Sequence, residues 1–163
     1  NAGKRQKACP SQIACNRRYG RYLRMADTTN DKQTPPRPET PSGRVEIRTV
    51  PKPWGHETIW AHTDRYVGKV LHIKAGHALS VQYHKRKDET VHLLEGELVY
   101  RVQTGAELKD MHLKAGESFR ITPFTIHQME AVTDCDVLEV STPELDDVVR
   151  LSDRYGREGT SAP

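Results

Sequence analysis

Between residues 45 and 141 the chain is broken into short runs in which apolar and polar residues alternate: VEIRTV, ETIWAH, YVGKVLHI, ALSVQYH, TVHLLEG, ELVYRVQ, ESFRIT and DVLEVS. Successive side chains of a strand point to opposite faces, so each run describes a strand with one buried face. Pro53 and Gly55, Ala75-Gly76, Glu95-Gly96, Thr104-Gly105, Ala115-Gly116 and Thr133-Asp134 punctuate the runs with the residue types that turns demand. Eight or more short strands without a helical period between them predict an all-β sandwich or barrel. Only residues 143–151, PELDDVVRL, read differently. Leu145, Val148, Val149 and Leu151 fall near helical spacing, with acids early and Arg150 late, and this predicts a short C-terminal helix or helical turn.

The flanks carry no such pattern. Residues 25–43 hold Pro35, Pro36, Pro38 and Pro41 among Thr, Asp, Asn and Ser, a composition that cannot bury enough surface to fold alone. We therefore expect a disordered arm over 1–43, basic and then proline-rich, a folded domain over 44–157, and a tail over 158–163 that frays. The formal charge of +3 comes from the arm. Residues 1–24 carry seven Lys or Arg and no acid, so the body is mildly acidic and gives no reason to expect a nucleic-acid partner. Three readings of residues 1–24 compete: an upstream in-frame extension with translation starting at Met25, an Arg-rich transit segment, or a nucleic-acid tail. The first fits best, because the arm has few Ser and no amphipathic apolar face. Nothing in the sequence is long and apolar enough to cross a membrane. Of three cysteines only Cys135 lies in the body, which fits a reducing, cytoplasmic setting.

Within the strands, four side chains form a candidate metal set. Gln82 and His84 share a face by alternation, with Ser80 beside them. Glu89 follows across the hydrophilic segment Lys85-Arg-Lys-Asp, where a hairpin would return it toward His84. His127 follows the turn Thr122-Pro-Phe-Thr-Ile and can bring a fourth donor inward. An amide, a carboxylate and two imidazoles are costly to bury without a shared partner, and the partner they suit is a divalent cation. The remaining histidines, His56, His62, His72, His77, His92 and His112, read as structural or exposed. Alternation puts His92 on the face opposite Glu89.

The spacing Gly76, five residues, Gln82-Tyr83-His84, four residues, Glu89, six residues, Gly96 resembles the first cupin motif, with Gln in its first His place. The second cupin motif falls on Gly116, Thr122-Pro123-Phe124, His127 and Ala131, where Thr122, Phe124 and Ala131 depart from its usual Pro, Gly and Asn. Lys52-Pro-Trp-Gly, Leu79-Ser-Val-Gln-Tyr-His, Gly116-Glu-Ser-Phe-Arg-Ile and the segment 146–157, DDVVRLSDRYGR, narrow the likeness further. Together they resemble the C-terminal cupin domain of type II mannose-6-phosphate isomerases, from about Lys52 to Arg157. The resemblance implies a double-stranded β-helix, jelly-roll-like barrel and a metal set of Gln82, His84, Glu89 and His127. It also implies a metal-dependent aldose–ketose isomerase acting on mannose 6-phosphate or a related sugar phosphate.

An amide in place of a third imidazole favours zinc over redox iron. Lys69, Lys87 and Arg150 are the candidates to hold the phosphate by charge-assisted hydrogen bonds. Lys87 is singled out because the isomerase pattern tends to have a basic residue two before the Glu ligand. Trp54 reads as barrel-end packing. The sequence does not name the base that would move the C2 proton. Two other classes compete with the isomerase: a non-catalytic metal- and sugar-binding cupin, and a metal-dependent oxygenase. Barrels of this kind often pair through an edge strand, so a homodimer is expected.

Overall fold

The computed structural model describes residues 42–160. The arm expected over 1–43 lies outside them but for its last two residues, and from Gly43 onward the described chain belongs to one compact unit. It contains twelve strands: β1 (Arg48–Lys52), β2 (Gly55–His62), β3 (Val67–Ile73), β4 (Val81–Tyr83), β5 (Glu89–Glu95), β6 (Glu97–Thr104), β7 (Glu107–Lys114), β8 (Ser118–Ile121), β9 (His127–Ala131), β10 (Cys135–Ser141), β11 (Val149–Ser152) and β12 (Gly159–Thr160). They form two six-stranded sheets, ordered β1-β2-β3-β10-β5-β8 and β12-β11-β4-β9-β6-β7, with every neighbouring pair antiparallel.

The inward rows divide the interior in two. Read along their strands, Leu71 and Ile73, Val91 and Leu93, Met129 and Ala131, and Cys135 and Val137 are buried and apolar. At the other end of the same rows stand Lys69, Glu89, His127 and Glu139, also buried. Register aligns them, since Glu139 pairs with Lys69 on one side and Ser141 with Glu89 on the other. One end of the barrel is therefore an apolar core, to which Trp54, Leu98, Tyr100, Val102 and Ile121 also belong. The opposite end collects polar groups whose burial requires partners.

Four expectations are corrected. No described residue is helical, and the segment expected to be a short helix instead delivers β11 to the open edge of β4, Val149 opposite Tyr83 and Arg150 opposite Gln82. Backbone pairing there, with the β-branched pair Val148-Val149, overrides a weak helical period. The segment after His84 is not a hairpin: β4 and β5 belong to different sheets, and the chain crosses between them. The tail does not fray immediately, because Gly159 and Thr160 pair with β11. Finally, the first strand begins only at Arg48, leaving Val45 and Ile47 exposed.

Candidate metal centre and its cavity

His84, Glu89 and His127 converge although 43 positions separate the first from the last. Their ligand atoms lie within 4.8 Å of one another, and all three side chains are buried. His84 follows β4, Glu89 opens β5 and His127 opens β9, so the cluster joins both sheets at the polar end. Gln82 is the register partner of His127 and is buried on the His84 side of β4. The hydroxyl of Ser80 donates to its Oε1 at 2.7 Å, which orients the amide. The structure thus brings together three of the four residues expected to ligate, and sets Gln82 beside them.

The outward nitrogens of both rings are tied to carbonyls. His84 Nδ1 faces Asp147 O at 2.5 Å and His127 Nδ1 faces Thr125 O at 2.9 Å. A carbonyl only accepts, so each Nδ1 carries a proton and each ring turns its Nε2 toward the cluster, the atom that would offer a lone pair to a metal. There, Nε2 of His127 lies 3.2 Å from Glu89 Oε1 and Nε2 of His84 lies 3.5 Å from Glu89 Oε2. Both nitrogens and Glu89 Oε1 are buried without a hydrogen-bond partner among the described residues. Lone pairs held face to face in a dry interior repel unless a cation sits between them. Two imidazoles and a carboxylate so arranged fit a divalent metal ion.

Asp147 is the residue that sequence reasoning missed. Its carboxylate accepts from the backbone N–H of Lys85 at 3.1 Å, Arg86 at 2.5 Å and Lys87 at 2.8 Å, fastening the crossover between His84 and Glu89. Burial alone would raise its pKa, but these three donors hold it below the ordinary carboxylate value. The same residue therefore anchors the crossover with its side chain and one imidazole with its carbonyl.

Beside the cluster runs a ladder of alternating charges. Lys87 Nζ lies 2.5 Å from Glu89 Oε2 and 3.3 Å from Glu139 Oε1. Lys69 Nζ lies 3.8 Å from the same Glu139 oxygen and 3.6 Å from Glu57 Oε2, and Lys52 closes the ladder on Glu57 Oε1 at 3.2 Å. Burial pulls the Lys87 pKa down, yet Glu139 and Glu89 more than reverse this and hold it above its ordinary value. Burial likewise pushes Glu89 up, and the Lys87 ammonium draws it well below the carboxylate range.

These groups line a cavity of about 420 Å³ whose walls include Trp54, Gln82, Lys87, Glu89 and Glu139. Six basic residues (Arg48, Lys52, Lys69, Lys87, Arg150, Arg157) face it against three acids (Glu57, Glu89, Glu139). Of the residues expected to hold phosphate, Lys69 and Lys87 are each paired to two carboxylates. Arg150 is not so engaged: its Nε is buried without a hydrogen-bond partner among the described residues. Trp54 is buried at the cavity wall, as packing required. His92, by contrast, reaches outward to Ser118 Oγ at 2.8 Å.

The sequence pattern of one protein family, described as mannose-6-phosphate isomerase C-terminal, matches residues 42–153. The chain belongs to that family. Its barrel is a cupin, and solved structures share the fold. A double-stranded β-helix domain protein from Klebsiella pneumoniae has a TM-score of 0.52 at 19% identity, covering 71% of this chain and 90% of that one. Oxalate decarboxylase from Bacillus subtilis has a TM-score of 0.59 at 14% identity, covering 70% and 34%. Among sequences, the mannose-1-phosphate guanylyltransferase of Escherichia coli K12 is 35% identical over 115 residues, 68% of this chain. The cupin spans 23% of that relative's length. Among the described residues, no helix is long and apolar enough to cross a membrane.

Proposed function

We propose that the cavity is the catalytic site of a metal-dependent aldose–ketose isomerase acting on mannose 6-phosphate or a related sugar phosphate. One observation carries the proposal: two imidazole lone pairs and a carboxylate converge, unsatisfied, at the polar end of a barrel lined by an excess of basic side chains. Membership of a family described as mannose-6-phosphate isomerase C-terminal supports the choice of substrate class. Gln82, His84, Glu89 and His127 hold the ion, for which this mixed nitrogen and oxygen set suits zinc. When bound, it supplies Lewis acidity to a carbonyl or hydroxyl oxygen and makes the neighbouring C–H more acidic.

The protein's own groups do the rest. Arg150 binds the phosphate with charge-assisted hydrogen bonds, aided by Arg48, which also lines the cavity. Lys69 and Lys87 hold the buried carboxylates in place, a positioning role in place of the phosphate contact expected from sequence. Trp54 walls off the apolar core and limits water.

Metal analysis of the purified protein, coupled to conversion of mannose 6-phosphate to fructose 6-phosphate before and after chelation, tests the proposal. Turnover should disappear with the metal and return with zinc. Unchanged turnover in metal-free protein would overturn it. A second reading, a metal- and sugar-binding cupin without turnover, draws on the shared fold of proteins as differently named as oxalate decarboxylase. Metal-loaded protein that binds the sugar phosphate without converting it would favour that reading.

A further inference from the structure

Isomerisation needs a base within reach of C1 and C2, and we infer that Glu139 is that base. The inference rests on the isomerase reading. Glu139 lies on β10, on the face of Val137 and Ser141, 4% exposed, and the surface it keeps faces the cavity. The nearest approach of both lysines is to a single oxygen, Oε1, and the Lys87 hydrogen bond goes to that oxygen. One ammonium, that of Lys87, separates this carboxylate from the one in the metal cluster. A sugar whose oxygens lie at the cluster therefore has its C1–C2 bond beside Glu139.

The other candidates are engaged. Glu57 has each oxygen in an ion pair and lies one lysine farther from the cluster. Lys69 and Lys87 each lie between two carboxylates, and the Nε2 atoms of both imidazoles face the metal cluster. Tyr100 is fully buried in the core and does not line the cavity.

The step balances within the substrate. Glu139 takes the C2 proton, the C2–H electron pair becomes the C1–C2 double bond, and the carbonyl pair moves to O1. The carboxylic acid then returns its proton to C1, while the O2 proton passes to O1 and the C2 carbonyl forms. No oxidant or reductant is consumed.

The experiment follows exchange of the C2 hydrogen of mannose 6-phosphate in D2O with zinc-loaded full-length protein. Wild type is compared with Glu139→Gln and Glu139→Asp, and each protein is assayed for zinc. The expected result is a loss of exchange of about 100-fold or more in Glu139→Gln at unchanged zinc content, with partial retention in Glu139→Asp. Wild-type exchange that persists in Glu139→Gln overturns Glu139 alone. Exchange lost together with zinc overturns it in favour of a structural role. Absence of both exchange and conversion to fructose 6-phosphate in zinc-loaded wild type overturns the isomerase reading and this inference together; if wild type converts without exchange, the same variants are compared by their rate of fructose 6-phosphate formation.

Discussion

Replacing Asp147 by alanine removes three charge-assisted hydrogen bonds while leaving the carbonyl that holds His84 in the chain. Each such bond contributes about 1.5–3 kcal/mol, but the three losses are not equal. Lys85 and Arg86 are exposed, and water can replace the carboxylate at their amides. Lys87 is buried, so its N–H is left without an acceptor at a cost of about 1–3 kcal/mol. With a few tenths for each rehydrated amide, the variant should lose about 2–4 kcal/mol of unfolding free energy. The loosened crossover joins two members of the cluster, so zinc affinity should fall about 10–100-fold, as for groups that orient metal ligands. Urea unfolding of zinc-free protein measures the first effect, and competition with a chromophoric chelator measures the second. If both match wild type, the crossover is held by something other than Asp147 and the reasoning fails.

Three further outcomes follow from the same structure. Gly96→Ala should cost about 2–4 kcal/mol, because its φ is 95° and a Cβ would press on the Asp134 carbonyl and come within 2.8 Å of Cys135 Sγ; Gly105→Ala, with φ 67° and open space around it, should cost about 1 kcal/mol, and thermal unfolding of the two separates crowding from backbone strain. Glu130 is held below its ordinary value of 4.5 by Arg101, against the upward push of burial, and with help from Arg154. Its stabilisation is thus complete above pH 4.5 and is lost as pH falls through the depressed native value, so Glu130→Gln should show a smaller acid-induced drop in urea midpoint than wild type. Lys87→Met should cost about 3–5 kcal/mol in zinc-free protein, since it leaves Glu89 and Glu139 buried without their shared ammonium; unfolding by urea with and without zinc measures the loss and should show a larger stabilisation by zinc than in wild type.

Strand alternation made the barrel legible, and motif spacing picked out His84, Glu89 and His127, which the fold brings together, because both are periodic properties of a single chain. Lys69 and Glu139 carried a weaker signal of the same kind. Each shares a strand face with apolar neighbours, Leu71 and Val137, so alternation alone turned both inward. What they meet there depends on register between strands some 70 positions apart, which no local pattern encodes. Strand β7 escaped because it is an edge with most of its residues exposed, and only Met111 and Leu113 mark a buried side. Asp147 was hidden for a different reason. Its partners are backbone N–H groups, present at every position and visible in none, and its own segment mimicked a helix. The helical spacing of Leu145 and Val148 had another cause, since both side chains line the cavity.

The charge ladder also bears on the dianionic substrate of the proposed reaction. Three lysines and three glutamates alternate from Lys52 to Glu89, so the ladder is neutral as a whole and each buried charge has a partner. Buried ions without partners would cost several kcal/mol apiece, which is why neither Lys69 nor Lys87 can be spared for a phosphate. As metal ligands the two rings would carry no charge, and Glu89 is already paired to Lys87. A divalent ion at the cluster therefore leaves an excess of about two positive charges in a space of low dielectric, and Arg150 adds to it at the wall. A neutral sugar leaves that field uncompensated. The proposed sugar phosphate would bring two negative charges on one end and oxygens for the metal on the other, so the imbalance that would draw its phosphate to Arg150 would also turn its carbonyl end toward Glu89 and Glu139, which stand on either side of one ammonium.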